Sequence, residues 1–114
     1  MKNKFNAIKT KAGDSKAEIR RYQELLSMEK KGLIKNLKKQ PQFILQEKFR
    51  YKNDRAYSKM KYTADFQYEK NGITIIEEVK SKYTAKLTDY RLRSRLFKYQ
   101  IKDKEDLLFI EIIK

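Results

Sequence analysis

The pair Asn71-Gly72 constrains the fold of this chain more than any other part of the sequence. Asn-Gly is the preferred centre of a two-residue hairpin turn, because both residues tolerate positive φ. Residues 62–68 alternate between apolar and polar side chains, and 73–80 is rich in β-branched residues. We therefore predict two antiparallel strands joined by this turn. In the first strand, one face is predicted to hold Tyr62, Ala64, Phe66 and Tyr68, and the other Thr63, Asp65 and Gln67.

Helical periodicity predicts a helix on either side of these strands. The first is expected to start at Asp14-Ser15, to run to about Lys31 and to be followed by Gly32. The second covers about 85–100. Further strands are predicted at 42–49 and, short, apolar and buried, at 107–113, with a loop or hairpin tip at 50–60. The apolar stripe of the first helix is predicted to comprise Ile19, Tyr22, Leu25 and Leu26.

The length of 114 residues fits one α/β domain. We place this domain at 14–114 and interpret the Lys-rich residues 1–13 as a basic arm. The expected order is helix, two to four strands with one sharp hairpin, helix and strand. Segment 33–40 is weakly apolar and basic and is assigned no element.

Charge and residue types restrict the chemistry. The net charge is +14, from 29 Lys and Arg against 15 Asp and Glu, which favours a polyanionic partner, nucleic acid first and an acidic membrane surface second. The chain has no cysteine and no histidine, which excludes thiolate and imidazole metal sites and every histidine base. A metal would therefore have oxygen ligands, as Mg²⁺ or Mn²⁺ prefers. No apolar run approaches the ~20 residues of a membrane span, so we expect an intracellular protein.

Two carboxylates and a lysine flank the predicted hairpin turn. Side chains at i and i+2 of a strand share a face, so Glu78 and Lys80 point the same way, and Asp65 can face them across the hairpin. A divalent cation would relieve the repulsion between the carboxylates, and Lys80 would orient or deprotonate a water. The alternative is an ordinary ion cluster on a sheet surface. Glu77 points to the opposite face, where a strand-end salt bridge is expected.

Glu18 is a third candidate carboxylate. At 100° per residue it lies within about 40° of Tyr22 and Leu25, so it borders the predicted apolar stripe. An inward-facing carboxylate is costly unless it is paired or bound to metal. The alternative is that Glu18 lies at the edge of the stripe beside Lys16 or Arg21.

Basic residues of the second helix are predicted to contact DNA phosphates. Arg91, Arg95, Lys98 and Lys102 have the spacing i, i+4, i+7 and i+11, which puts these four on one face, next to an apolar face of Leu92, Leu96 and Tyr99. The alternative is a solvated helix face. The predicted phosphate contacts are Lys82, Arg91, Arg95, Lys98 and Lys102.

Two other groups of residues are also suited to binding nucleic acid. The arm lysines Lys2, Lys4, Lys9 and Lys11 would track the backbone, or form a plain flexible tail. Tyrosines among basic residues can stack on unpaired bases, although such residues also cover sheets. These tyrosines are Tyr51, Tyr57 and Tyr62.

Four segments, together with the Asp65…Glu78-Val79-Lys80 pattern, carry a family resemblance. The segments are Asp14-Ser15-Lys16-Ala17-Glu18, Gln40-Pro41-Gln42-Phe43, Tyr62-Thr63-Ala64-Asp65-Phe66 and Glu77-Glu78-Val79-Lys80-Ser81. They resemble the PD-(D/E)xK nuclease superfamily, and closer still a small phage-borne family formerly of unknown function. Ala64 stands where the motif's proline would be, a departure that is common in the superfamily. The resemblance implies a restriction-endonuclease-like domain, an αβββαβ core with a mixed sheet flanked by helices.

The resemblance also implies an activity. It is a Mg²⁺- or Mn²⁺-dependent DNA endonuclease that hydrolyses phosphodiester bonds, with metal on Asp65 and Glu78, Glu18 as auxiliary ligand and Lys80 in catalysis. Small phage members are resolvases of branched DNA such as Holliday junctions and act as homodimers, in a phage-infected or prophage-carrying bacterium. The superfamily also contains inactive members, so the alternative is a non-catalytic nucleic-acid-binding protein.

Overall fold

The computed structural model describes residues 12–114, with side chains from Lys16 onward. Two α-helices, one short 3₁₀ helix at Thr84–Lys86 and eight strands make up this part of the chain. In chain order they are α1 (Ala12–Lys30), β1 (Lys35–Lys39), β2 (Gln42–Gln46), β3 (Phe49–Arg50), β4 (Ala56–Tyr57), β5 (Met60–Thr63), β6 (Phe66–Lys70), β7 (Ile73–Lys80), α2 (Thr88–Ile101) and β8 (Leu107–Ile113).

Four strands form the central sheet, in the order β1-β6-β7-β8. The pairs β1–β6 and β6–β7 are antiparallel, whereas β8 runs parallel to β7. Asn71 and Gly72 have φ of 52° and 81°, which confirms the predicted turn between β6 and β7. The ladders β2–β5 and β3–β4 lie between β1 and β6 in sequence. The architecture is thus mixed α/β, and the elements of the central sheet follow the order helix, three strands, helix, strand.

The two helices cover opposite sides of the sheet. On one side Ala17 and Leu25 of α1 pack with Phe66, Ile75 and Val79. On the other, α2 and the β2–β5 ladder enclose a second core of Tyr62, Ala64, Ile76, Tyr90, Phe97 and Ile101. Each fully buried large apolar side chain contributes about 1.5–3 kcal/mol. Strand β7 lies between the two cores, so its alternating side chains enter both.

The predicted strand 62–68 is broken, and its predicted single face is wrong. Tyr62 and Ala64 are buried on the α2 side, whereas Phe66 and Tyr68 are buried on the α1 side. The chain changes partner at the break: the Ala64 N–H bonds to Pro41 O at 3.1 Å, and the Asp65 N–H bonds to Glu77 O at 3.0 Å. The crossing places Asp65 directly before the first residue of β6, beside β7.

Helix α1 differs from its prediction at its start and in its buried face. Asp14 and Ser15 lie inside the helix, so neither caps it. Ile19 and Leu26 are 58% and 40% exposed, and the predicted stripe is wrong at both positions. The face of α1 that lies against the sheet is centred on Arg21, whose guanidinium donates to the buried Glu77 carboxylate. The basic arm predicted for 1–13 lies outside the described residues except at Ala12 and Gly13, which are helical.

The predicted apolar face of α2 is also wrong. Leu92, Leu96 and Tyr99 are exposed, and the helix instead buries Tyr90, Ser94, Phe97 and Ile101. Strand β8 was expected to be buried, but it is the edge of the central sheet. Its Leu108 and Ile113 are therefore exposed.

Two further differences concern short strands. Segment 33–40, assigned no element, contains β1, which has one partly buried apolar residue, Leu37. The strand predicted at 42–49 is interrupted after Gln46, and its continuation β3 forms a hairpin with β4, in agreement with the predicted hairpin tip. In the described part of the chain, neither helix has the length and apolar character of a membrane span.

Candidate active site

Strand β7 sends adjacent glutamates to opposite sides of the sheet. Glu78 points toward α2 together with Lys80, whose Nζ lies 3.5 Å from Glu78 Oε2. Glu78 is only 3% exposed, so its charge is largely removed from water. The predicted sharing of a face by Glu78 and Lys80 is observed.

Asp65 is fixed by two hydrogen bonds to β7 and one to Gln40. Its N–H donates to Glu77 O at 3.0 Å, and its carboxylate Oδ2 accepts from the Val79 N–H at 2.6 Å. Its carbonyl accepts from the N–H of Gln40, at 2.8 Å. The bond to the Val79 N–H holds the Asp65 carboxylate against β7, between Glu78 and Lys80 in the sequence.

Glu18 reaches the same place from α1. Burial, a hydrogen bond with Asp65 and the charges of Asp65 and Glu78 raise the pKa of Glu18 to about 8, and Lys80 opposes this increase. Burial and the charge of Asp65 likewise raise the pKa of Glu78 to about 8. Three carboxyl groups and one ammonium therefore interact at one point of the structure. The alternative for Glu18, an edge position beside Lys16 or Arg21, does not describe this arrangement, because Arg21 pairs with Glu24 and Glu77.

Two tyrosines that the sequence did not assign to the site complete it. The Tyr62 hydroxyl donates a hydrogen bond to Glu78 Oε1, and Tyr62 is 3% exposed. A buried tyrosine cannot stack on a base, so that alternative for Tyr62 is wrong. The Tyr90 ring lies 4.9 Å from Lys80 Nζ, and its hydroxyl donates to Glu111. No motif distinguishes these two residues from other core aromatics.

The three carboxyl groups, Lys80 and Tyr90 line a cleft of about 430 Å³ between α1, β7 and the start of α2, and Tyr62 lies behind its wall. The turn after β7 contributes Thr84 to the lining of the cleft. Two hydrogen bonds hold this turn: the Ser81 N–H donates to Thr84 Oγ1 at 3.1 Å, and the Thr84 N–H donates to Ser81 Oγ at 3.0 Å. The lining residues are Glu18, Gln40, Thr63, Ala64, Asp65, Glu78, Val79, Lys80, Thr84, Leu87, Asp89 and Tyr90.

The donor set of the cleft suits a hard divalent cation. All candidate ligands are carboxylate oxygens, and two of them have pKa values raised to about 8 by burial and mutual repulsion, which a cation would relieve. Among the described residues, no three carboxylates already stand at ligand spacing. Tyr62 and Lys80 instead occupy the oxygens of Glu78, and the cation would have to displace the contact with Lys80.

The predicted phosphate-binding residues are brought together only in part. Arg91, Arg95 and Lys98 line a shallow pocket of about 260 Å³, which shares Tyr90 with the cleft. Lys98 Nζ contacts Glu111 Oε1 at 2.8 Å. Lys82 and Lys102 do not line this pocket; both are exposed, and Lys102 pairs with Asp103 at 2.8 Å.

Glu77 belongs to a separate structural cluster on the α1 side. It is 0% exposed and receives two hydrogen bonds from Arg21, Nε to Oε1 at 2.9 Å and Nη2 to Oε2 at 2.6 Å. The Tyr68 hydroxyl donates to Oε2 as well. The predicted salt bridge of Glu77 is therefore present, and it is buried.

Comparison with known proteins gives one match. Neither a curated protein nor a solved structure matches the chain. One family model, described as "Protein of unknown function (DUF1064)", matches residues 2–114. Because this match covers nearly the whole sequence, the chain belongs to the DUF1064 family.

Proposed function

We propose that this chain is a metal-dependent DNA endonuclease that hydrolyses phosphodiester bonds. The observation that carries the proposal is the convergence of Glu18, Asp65 and Glu78 with Lys80 in one cleft. These residues come from a helix, a strand end and the neighbouring strand, and the fold brings them together at the cost of burying carboxyl groups. Buried carboxylates that repel one another are a feature of functional sites more often than of plain surfaces.

Each residue has a role in this proposal. Asp65 and Glu78 would hold Mg²⁺ or Mn²⁺, with Glu18 as an auxiliary ligand. When bound, the cation would polarise a DNA phosphate and lower the pKa of a nearby water. The Lys80 ammonium would orient that water. As the water oxygen bonds to phosphorus it would lose its proton to solvent, one ester P–O bond would break, and the leaving oxygen would take up a proton from solvent. The Tyr62 hydrogen bond keeps Glu78 in position.

Charge supports DNA as the substrate. The net charge of +14 favours a polyanion, and Arg91, Arg95 and Lys98 lie beside the cleft, one residue of which, Tyr90, they share. A strand whose phosphate enters the cleft would have neighbouring phosphates within reach of this basic face of α2.

The finer parts of the proposal are a restriction-endonuclease-like αβββαβ core, a branched substrate such as a Holliday junction in phage recombination or processing, and a homodimer. The order of helices and central strands supports the core. Two symmetric nicks need two sites, and one chain holds one cleft of this kind in its described part. The exposed Leu108 and Ile113 make the β8 edge the candidate dimer contact.

A cleavage assay tests this function. Purified protein is incubated with a four-way junction, a duplex and single strands, with Mg²⁺, Mn²⁺ or chelator. We expect cleavage that requires metal, prefers the junction and is lost in Asp65→Asn and Lys80→Met. Matched controls are Asp106→Asn and Lys70→Met, because both residues are exposed and lie outside the cleft.

The competing function is a nucleic-acid-binding protein without catalysis. It predicts DNA binding that survives the Asp65 and Lys80 substitutions, with no cleavage of any substrate under any metal condition. That outcome would refute the endonuclease and leave the charge argument for DNA intact. Cleavage that persists in both variants would show that the activity comes from elsewhere.

A further inference from the structure

The hairpin of β3 and β4 lies outside both cores of the described structure. Every residue from Glu47 to Ala56 is exposed, and β3 and β4 pair only with each other. An isolated two-stranded hairpin is marginally stable in water. The segment therefore adds nothing to either core, and its side chains are available to a partner.

Part of its aromatic content holds the hairpin together. Phe49 and Tyr57 are directly opposite in the ladder, and their rings stack with centroids 5.1 Å apart and planes 16° apart. Such cross-strand aromatic pairs stabilise a hairpin. Tyr57 also donates a hydrogen bond to Asp54 across the turn, and the Arg55 guanidinium lies 5.1 Å from the Tyr57 ring. Phe49 and Tyr57 thus have a structural role.

Tyr51 has no such role. It lies just past the last paired residue of β3, is 58% exposed, and its ring contacts only the Lys52 ammonium, 5.2 Å from the centroid, among the contacts of the described residues. Its carbonyl, not its side chain, accepts the turn hydrogen bond from Asp54. In the described part of the chain, neither a ring stack nor a side-chain hydrogen bond involves this ring, so its uncovered face is available to a partner.

The charge of the hairpin identifies the kind of partner. Residues 47–59 contain five basic residues, Lys48, Arg50, Lys52, Arg55 and Lys59, and two acidic residues, Glu47 and Asp54. The Asp54 carboxylate accepts bonds from the Arg55 N–H and the Tyr57 hydroxyl, so its acceptors are occupied within the hairpin. A positively charged surface with a free aromatic face fits unpaired bases on a phosphate backbone.

The hairpin is also placed where a bound strand would pass. It extends the β2–β5 ladder, and β5 leads directly through Ala64 to Asp65 in the cleft. Tyr51 follows Arg50, which pairs with Ala56 in the ladder. Ala56 lies seven residues before Thr63, the last residue of β5, and nine residues before Asp65. At about 3.3 Å per residue, with one step along β3 and one across the ladder, the tip lies at most about 38 Å from the cleft. That span is about eleven nucleotides of one strand.

From these observations we infer that the β3–β4 hairpin is a second DNA-contacting element, in which Tyr51 stacks on an unpaired base within about eleven nucleotides of the phosphate in the cleft. This inference rests on the proposed function, because it takes DNA as the partner. It goes further because it states that the tip recognises unpaired bases rather than duplex DNA.

A single-tryptophan experiment tests the inference without relying on cleavage. The chain has no tryptophan, so Tyr51→Trp introduces the sole one at the tip. DNA is added in chelator: a single strand, a duplex with an unpaired tail, and a fully paired duplex. We expect strong fluorescence quenching with the first two and little with the paired duplex at equal occupancy. Leu33→Trp is the matched control, because Leu33 is similarly exposed at 56% and lies past the far end of α1 from Glu18.

Affinities provide the second measurement. Tyr51→Ala is expected to weaken single-strand binding about 5- to 100-fold, as loss of one stacked base does, and to leave duplex binding unchanged. Tyr51→Phe is expected to bind as the original chain. Equal loss on both DNAs, no loss on either, or an unquenched Trp in the bound complex would overturn the inference.

The outcome separates this inference from the proposed function. Metal-dependent cleavage with an unquenched tip tryptophan would refute the stacking alone. Quenching by unpaired bases without cleavage of any DNA would refute the endonuclease alone. A chain that binds no DNA would refute both.

Discussion

Glu77 and Glu78 are neighbours in the sequence and are both buried, yet they face opposite sides of β7 and have different partners. Glu77 receives a two-bond contact from Arg21 and is compensated. Glu78 has Lys80 at 3.5 Å, but burial and the charge of the neighbouring Asp65 raise its pKa. Glu77 thus stabilises the fold, whereas Glu78 lies in the cleft, where it and Asp65 repel each other.

The first prediction concerns the compensated glutamate. Arg21→Met leaves the Glu77 carboxylate buried beside the Tyr68 hydroxyl without its cation, and we expect the free energy of unfolding to fall by about 3 kcal/mol. Urea denaturation measures this change. Arg20→Met is the control, because Arg20 is exposed on the same helix. A loss below that of the control would show that the pair does not stabilise the fold.

The second prediction is a pH dependence of stability. The pKa values of Glu18 and Glu78 are raised from 4.5 to about 8 by folding, so the folded chain binds more protons between these values. Stability that is fully present below pH 4.5 is then lost as the pH rises through 8. We expect Tm in chelator to fall from pH 5 to pH 9. Thermal denaturation at constant ionic strength measures it.

A matched pair of variants assigns this pH dependence to the cleft. Glu78→Gln should flatten the decrease in Tm, whereas Glu105→Gln, at an exposed position, should leave it unchanged. Mn²⁺ should raise Tm most at the high end of the range, where protons no longer compete with it. A Tm that is flat or rises between pH 5 and pH 8 would contradict the assigned pKa shifts.

The third prediction concerns phosphate contacts on α2. Arg91 and Arg95 line the pocket beside the cleft, whereas Lys102 lies outside it and pairs with Asp103. We expect the double substitution of Arg91 and Arg95 by Gln to reduce the slope of log Kd against log salt by about two, since each phosphate contact contributes about 0.9. Binding to duplex in chelator over a salt series measures the slope. A Lys102→Gln effect as large as that of one arginine would refute the assignment.

The fourth prediction is that Tyr90 positions Lys80. The ring lies 4.9 Å from the Lys80 ammonium, and Glu111, held by Lys98, fixes the Tyr90 hydroxyl. Loss of a cation–π contact is worth about 0.5–2 kcal/mol, so Tyr90→Leu should lower kcat about 10-fold with KM nearly unchanged. Tyr90→Phe keeps the ring and should retain most of kcat. Equal effects of both variants would argue for a role of the hydroxyl instead.

The turn, the faces of β7 and the pairing of Glu78 with Lys80 were predictable, because each depends on residues close together in the sequence. The Asn71-Gly72 turn sets the register, and strand alternation separates Glu77 from Glu78. Glu18 was a weaker prediction. Its place in the cleft depends on how α1 lies on the sheet, which local periodicity does not determine.

The crossing at Ala64-Asp65 was not predictable from alternation alone. Tyr62, Ala64, Phe66 and Tyr68 are all buried, as an unbroken strand would also require, but a change of hydrogen-bond partner sends them into two cores. The wrong faces of both helices have a similar cause. Leu92 and Leu96 continue a plausible apolar stripe, and only the position of the β2–β5 ladder selects Ser94 and Phe97 as the buried side. Tertiary packing, not propensity, decided these positions.

Metal binding at the three carboxylates is the most direct test of the account. The comparison uses Lys80→Met, which retains Glu18, Asp65 and Glu78 and is expected to leave bound DNA uncut, with and without the further change Asp65→Asn. Each protein is saturated with a junction and titrated with Mn²⁺, and free Mn²⁺ is followed by electron paramagnetic resonance. We predict that Lys80→Met binds at least one Mn²⁺ per chain beyond that held by DNA alone, and that Asp65→Asn abolishes this binding. Equal Mn²⁺ uptake by both proteins, or none by either, would contradict a cation site in the cleft.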